Sequence, residues 1–108
     1  MENIKDLVII GGGPAGITSA IYGIRAGLDL VLVEKFSPGG QVVNSYEIEN
    51  YPGFAEPVAG WELMSRMEEQ ARRLGTEVLT GDVTSVKKNG DCFIVDVNGE
   101  QLVSKTVI

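Results

Sequence analysis

The 108-residue sequence predicts an α/β fold, a parallel sheet with helices that continues into an antiparallel β-meander. Three observations carry this. A β-branched run, Asp6–Ile10, ends in consecutive glycines. Apolar residues then recur at helical spacing. The last third alternates in polarity, with Asn-Gly pairs between the alternating runs.

Asp6-Leu7-Val8-Ile9-Ile10 is apolar after its first residue, the pattern of a strand covered on both faces. A helix is expected from Pro14, because proline at a first helical position has its φ already set. Ile17, Ala20, Ile21 and Ile24 fall at i, i+3, i+4 and i+7 and make one apolar stripe, and Gly27 closes the helix. Leu30-Val31-Leu32-Val33 reads as a second covered strand ending at Glu34. Together these segments make a right-handed βαβ unit with parallel strands.

Residues 35–59 lose this periodicity and gather glycine and proline at Pro38-Gly39-Gly40 and Pro52-Gly53. A connection of that length in a small domain is more often functional than idle. From Trp61 the helical period returns, with Trp61, Met64, Met67, Ala71 and Leu74 on one face. Glu62/Arg66, Glu68/Arg72 and Glu69/Arg73 stand four apart in the favourable order, and Gly75 ends the helix. Thr76–Thr80 is expected as a third strand. Val83–Lys88, Cys92–Val97 and Gln101–Ile108 form the meander, turning at Asn89-Gly90 and Asn98-Gly99. Lys105-Thr106-Val107-Ile108 stops while still apolar, without turn or cap, which is expected of a piece cut from a larger chain.

Composition narrows the function. Hydrophobic residues at 44% are enough for a core, and charged residues at 22% match ordinary globular proteins. The net charge of −6 argues against a nucleic-acid surface, which needs clustered Lys and Arg. No apolar run approaches membrane-spanning length, and the first residues lack a secretory pattern. The single Cys92 cannot form an internal disulfide, which suits a cytoplasmic protein; it alternates with Phe93 as a small packed hydrophobe. With no histidine, His-based acid–base pairs and His metal sites are closed to this chain. No catalytic residue and no metal ligand is assigned.

The chemistry-bearing motif is Gly11-Gly12-Gly13-Pro14-Ala15-Gly16, a G-x-G-x-x-G. Glycine turns are common, so the pattern alone is weak. Here it leaves a strand and opens a helix, and an acidic residue, Glu34, ends the next strand 21 positions after Gly13. Gly11 permits the tight turn, Gly13 lets a pyrophosphate approach the backbone, and Gly16 lets helix and strand pack closely. The helix N-terminus adds unpaired N–H groups and about half a positive charge. Glu34 would accept hydrogen bonds from ribose hydroxyls and would repel a 2′-phosphate, which disfavours NADP at this site. The bland alternative is a glycine turn with Glu34 merely solvated. The loop does not itself separate NAD from FAD.

Gly39-Gly40-Gln41 and Glu47-Ile48-Glu49-Asn50-Tyr51-Pro52-Gly53-Phe54, together with Ile9–Gly16, resemble the low-molecular-weight thioredoxin reductase family. These are the class II pyridine nucleotide-disulfide oxidoreductases, and the resemblance runs over essentially the whole chain. It implies a Rossmann-like FAD/NAD(P)-binding fold in three ββα layers. It also implies that residues 1–108 are the N-terminal segment of an FAD-binding domain. The NADPH domain with its Cys-x-x-Cys pair, and the C-terminal FAD lobe, would then be missing. By the same resemblance Gly12–Ala15 would contact the pyrophosphate of FAD and Glu34 the adenosine ribose, with Gly11, Gly16, Lys35, Gly39 and Gly40 also among the cofactor-binding residues. Gln41 would reach the ribityl and pyrophosphate region, Asn50 the flavin side, and Val83 would offer backbone contacts to adenine. For Gln41 and Asn50 the plain alternative is ordinary turn chemistry.

The resemblance implies a homodimeric parent enzyme that passes electrons from NADPH through FAD and the dithiol to thioredoxin. The 108 residues alone would be inactive. Two alternatives stay open: a related flavoprotein using ferredoxin as its partner, and a nucleotide-binding module without catalysis.

Overall fold

The fold follows from where each strand must go to hide its apolar faces. The computed structural model describes residues 3–36 and 47–108. In chain order these form β1 (Ile4–Ile10), α1 (Pro14–Arg25), β2 (Leu30–Glu34), α2 (Gly60–Arg73), β3 (Glu77–Thr80), β4 (Val83–Asn89), β5 (Cys92–Val97) and β6 (Glu100–Val107). The βαβ unit forms as the sequence predicts: Val8 pairs with Val31 and Ile9 with Leu32 in parallel register, and Val31 pairs in turn with Glu77 of β3.

The strands make one mixed sheet in the order β3-β2-β1-β6-β5-β4. The meander pairs antiparallel within itself, and its last strand lies parallel to β1. This order forces the sheet to curl. In a flat sheet β3 and β4 would lie five strand spacings apart, about 24 Å. Only Gly81 and Asp82 join them, a reach of about 11 Å. The meander therefore folds back over one face of the parallel strands, and two cores result. On one face α1 and α2 bury Leu7, Ile9, Leu30 and Leu32 against Ile17, Leu63, Met64 and Met67. On the other, Val8, Val31 and Val33 meet Val95 and Val97 of β5. Helices, parallel strands and meander thus stack as the three layers expected.

Three details differ from the sequence reading. Trp61 is exposed, and Leu63 takes its place in the buried stripe of α2 with Gly60, Met64, Met67 and Ala71. At 100° per residue Trp61 falls on the flank of that stripe. Glu62–Arg66 and Glu68–Arg72 are paired at 4.0 and 2.7 Å, while no such contact joins Glu69 to Arg73. The two hairpin turns also differ in kind. Val97 pairs with Glu100 across Asn98 (φ 50°) and Gly99 (φ 83°), the left-handed pair of a type I′ turn. Asn89 instead pairs with Cys92, so the first turn is Gly90-Asp91 with positive φ at its glycine alone.

At the end of the sheet away from the glycine loop, Lys5 bridges Asp29 (3.1 Å) and Glu77 (3.3 Å). Burial works against its charge, but the hydrogen bonds to both carboxylates outweigh that and hold its pKa above the ordinary lysine value. Asp6 accepts a backbone hydrogen bond from Asp29 and pairs with Lys105, which together hold its carboxyl below the usual range.

Candidate dinucleotide site

β1 has β2 on one side and β6 on the other, so the strand order reverses at β1. Open α/β sheets bind ligands at such a point, outside the carboxyl ends of the strands. The glycine loop lies at that end of β1, and the N–H of Gly11 donates to the Val33 carbonyl (2.8 Å), tying the loop to β2. Ile108, just past the end of β6, flanks it: its carbonyl accepts from the Ile10 N–H (2.8 Å) and its N–H donates to the Val8 carbonyl (3.0 Å).

Two glycines of the motif are required, for different reasons. Gly11 has φ of +101°, a conformation that L side chains rarely adopt. Gly13 sits at the helix N-cap with φ −74° and ψ −173°, an extended conformation open to any residue. Its backbone conformation therefore does not call for glycine. Gly16 is fully enclosed: a Cβ on it would lie 1.9 Å from the Gly11 carbonyl oxygen. The loop can fold back on its own helix only because residue 16 has no side chain.

The opening of α1 matches a pyrophosphate chemically. Pro14 occupies the first turn, no side chain caps the helix, and the first turn holds no acidic residue. Its terminal N–H groups and positive dipole end are thus left for an anion. Glu34, half-buried at the end of β2, accepts from the N–H of Gly12 (2.8 Å) through one carboxylate oxygen and from the N–H of Phe36 (3.1 Å) through the other. Two backbone donors hold the carboxylate beside the loop. An ionised carboxylate has about four acceptor positions, so capacity remains for a vicinal diol.

The other predicted residues divide between the two ends of the loop. Asn50 shares a cleft of about 260 Å³ with Pro14, Ile48, Tyr51, Leu63, Met64 and Met67. Val83 and Lys35 lie at the opposite end. Lys35 approaches Asp82 at 4.0 Å, and the N–H of Gly81 donates to the Glu34 carbonyl (2.9 Å), which brings the start of β4 beside the end of β2. Gly39, Gly40 and Gln41 lie outside the described residues. Sequence reasoning does not reach the corner Gly81-Asp82, because its demand for glycine comes from a residue 16 positions away: a Cβ on Gly81 would lie 2.4 Å from Val97 Cγ1. Among the described residues no group of three or more His, Cys, Asp or Glu is arranged for a metal. No helix of the described residues is long and apolar enough to cross a membrane.

Residues 5–108 match the family model described as pyridine nucleotide-disulphide oxidoreductase. The chain belongs to that family. Among curated relatives, thioredoxin reductase of Bacillus subtilis (strain 168) is 40% identical over 107 residues, 99% of this chain and 34% of that protein. The bifunctional thioredoxin reductase/thioredoxin of Mycobacterium leprae is 43% identical over 108 residues, 99% of this chain and 24% of that protein. Among solved structures, Lactococcus lactis thioredoxin reductase (FR conformation) superposes with a TM-score of 0.91 at 41% identity. That match covers 95% of this chain and 34% of that one. The chain thus spans about a third of the length of the curated thioredoxin reductases it matches. The family's α/β dinucleotide-binding architecture is the one described above.

Proposed function

We propose that residues 1–108 form the N-terminal segment of the FAD-binding domain of a thioredoxin-disulfide reductase. The observation that carries this is one constellation at one end of the sheet. It comprises the closely folded Gly11–Gly16 loop, the uncapped start of α1, and Glu34 held beside Gly12 by a 2.8 Å hydrogen bond. The thioredoxin reductases at 40 and 43% identity support the choice of FAD among dinucleotides and of thioredoxin as acceptor. They do not favour the ferredoxin-linked alternative.

In this reading the Gly12–Ala15 segment contacts the pyrophosphate through its backbone, in a pocket whose field is set by the helix dipole rather than by a lysine. Glu34 accepts from the adenosine ribose hydroxyls, assisted by Lys35, and backbone groups around Val83 receive adenine. Asn50 faces the flavin side, with Gln41 between. Bound FAD supplies the two-electron relay between NADPH and the dithiol of the complete enzyme. This chain's part is to bind, orient and keep the cofactor's charge paired. The complete protein is read as a homodimeric cytoplasmic enzyme.

The test is turnover by the full-length chain that carries this segment. NADPH-driven reduction of a thioredoxin disulfide by the purified flavoprotein is expected. A protein that contains flavin but reduces no thioredoxin with NADPH would overturn the assignment of donor and acceptor. A protein without flavin would overturn the assignment of the site.

A further inference from the structure

Two residues proposed for the adenosine half of the cofactor, Glu34 and Val83, come from strands that do not pair with each other. What joins them is the corner Gly81-Asp82, where the chain leaves β3 and crosses to β4. One side of this corner is tied to β2 by the Gly81 N–H on the Glu34 carbonyl (2.9 Å). The other side is tied to Asn98, in the turn between β5 and β6. The Asn98 side-chain Oδ1 accepts from the Asp82 N–H (3.0 Å), and the Asn98 N–H donates to the Asp82 carbonyl (3.2 Å). Both backbone polar groups of Asp82 are therefore engaged by one residue.

Asn98 is also the one non-glycine residue with positive φ among the described residues, at 50°. A type I′ turn needs that conformation, and glycine would supply it with less strain. The turn alone thus accounts for Asn or Gly at this position, but not for the amide aimed at Asp82. The gap it spans is narrow: a Cβ on Gly81 would approach Asn98 Nδ2 to 3.2 Å. The corner is held between β2 and this turn at close-packing distance.

We infer that Asn98 is a positioning residue for the adenine end of the dinucleotide site, acting through the Asp82 backbone on Val83. The inference rests on the flavin reading above. Asn98 touches no reacting group. Its side-chain amide orients the Gly81–Val83 strip so that the backbone around Val83 and the Glu34 carboxylate face the same adenosine.

Asn98→Gly isolates the amide, since it keeps the left-handed turn and the backbone bond to the Asp82 carbonyl. Asn98→Asp keeps an oxygen acceptor for the Asp82 N–H. The experiment uses flavin-free protein prepared from the full-length chain and titrates it with FAD and, separately, with ADP, which carries the adenosine end alone. FAD binding by the wild type checks the flavin reading by itself. Given that, Asn98→Gly is expected to weaken FAD and ADP alike by about three- to tenfold, the range for one lost hydrogen bond. The thermal midpoint of the flavin-free protein should fall by no more than a few degrees, since glycine takes the left-handed turn without strain and offsets part of the lost hydrogen bond, and Asn98→Asp should restore most of the affinity. Unchanged affinities in Asn98→Gly, or a loss that tracks a lowered thermal midpoint and is not rescued by Asn98→Asp, would overturn the inference while leaving the flavin reading in place.

Discussion

Adding a single methyl group at Gly16 tests the geometry of the loop most sharply. The new Cβ would start 1.9 Å from the Gly11 carbonyl oxygen and 3.1 Å from its carbon, both backbone atoms that no rotamer change can move. Reaching even a 3.0 Å contact requires the loop and helix to part by more than 1 Å. Overpacking of this kind costs about 1–3 kcal/mol, and alanine returns at most about 1 kcal/mol through its helix propensity. Because the atoms are backbone and Gly11 is tied to β2, the upper part of that range applies. Gly16→Ala should therefore destabilise the protein by about 2 kcal/mol and pull the first-turn N–H groups out of register with a pyrophosphate. Gly23→Ala is the control on the same helix. Its Cβ would start 2.5 Å from Leu30 Cδ2, the end of a side chain that can swing aside, so the net change should be small. Urea unfolding of flavin-free protein and the flavin content of purified protein are the assays. If Gly16→Ala unfolds like the wild type and keeps its flavin while Gly23→Ala does not, the close-packing argument is wrong.

The remaining predictions concern other parts of the molecule. Glu34→Gln can satisfy only one of the two N–H donors that now meet separate carboxylate oxygens. FAD affinity, followed by flavin fluorescence, should fall about tenfold or more; unchanged affinity would remove Glu34 from the site. Trp61→Ala should change unfolding stability by no more than about 0.5 kcal/mol, whereas Met64→Ala should cost about 2–4 kcal/mol because Met64 is 2% exposed. Equal costs would contradict the placement of α2. Asp6 has a folded pKa below its ordinary value of 3.8, so its contribution to stability is present above that pH and fades as pH falls through the lower folded value. The gap in urea midpoint between wild type and Asp6→Asn should accordingly be steady near neutrality and close in acid. A gap that widens on acidification would reverse the sign of this argument.

Much of this architecture was legible in the sequence because local and global signals agree. The run Leu7–Ile10, the glycine loop and the 3.6-residue stripe of α1 each specify a piece of the βαβ unit without reference to distant residues. β5 was bounded correctly at Cys92–Val97 for the same reason: its alternation is strict and turn residues flank it. What was hidden depends on long-range pairing. Nothing local in Glu100–Val107 says that it lies parallel to β1. That pairing joins residues about 100 positions apart, and together with the two-residue corner Gly81-Asp82 it makes the sheet curl. Trp61 was misplaced because a large apolar side chain at the start of a helix counts fully in a periodicity argument, yet the stripe is set by which face meets β1 and β2. For the site, the loop and Glu34 were readable from motif and spacing. Asn98 was readable only as a turn residue, since its amide acts on a backbone 16 positions away.

Gly13 offers the most direct test of the claim that this loop holds the pyrophosphate of FAD. Its backbone is extended, so Gly13→Val introduces a side chain at the mouth of the loop without demanding a forbidden conformation. The measurement is flavin identity and stoichiometry in the full-length chain, for wild type and Gly13→Val, with the fold of each checked by thermal unfolding. About one FAD per chain in the wild type, and none in a folded Gly13→Val, is the predicted result. A folded Gly13→Val that keeps FAD at wild-type stoichiometry, or a wild type that carries no FAD, would contradict it.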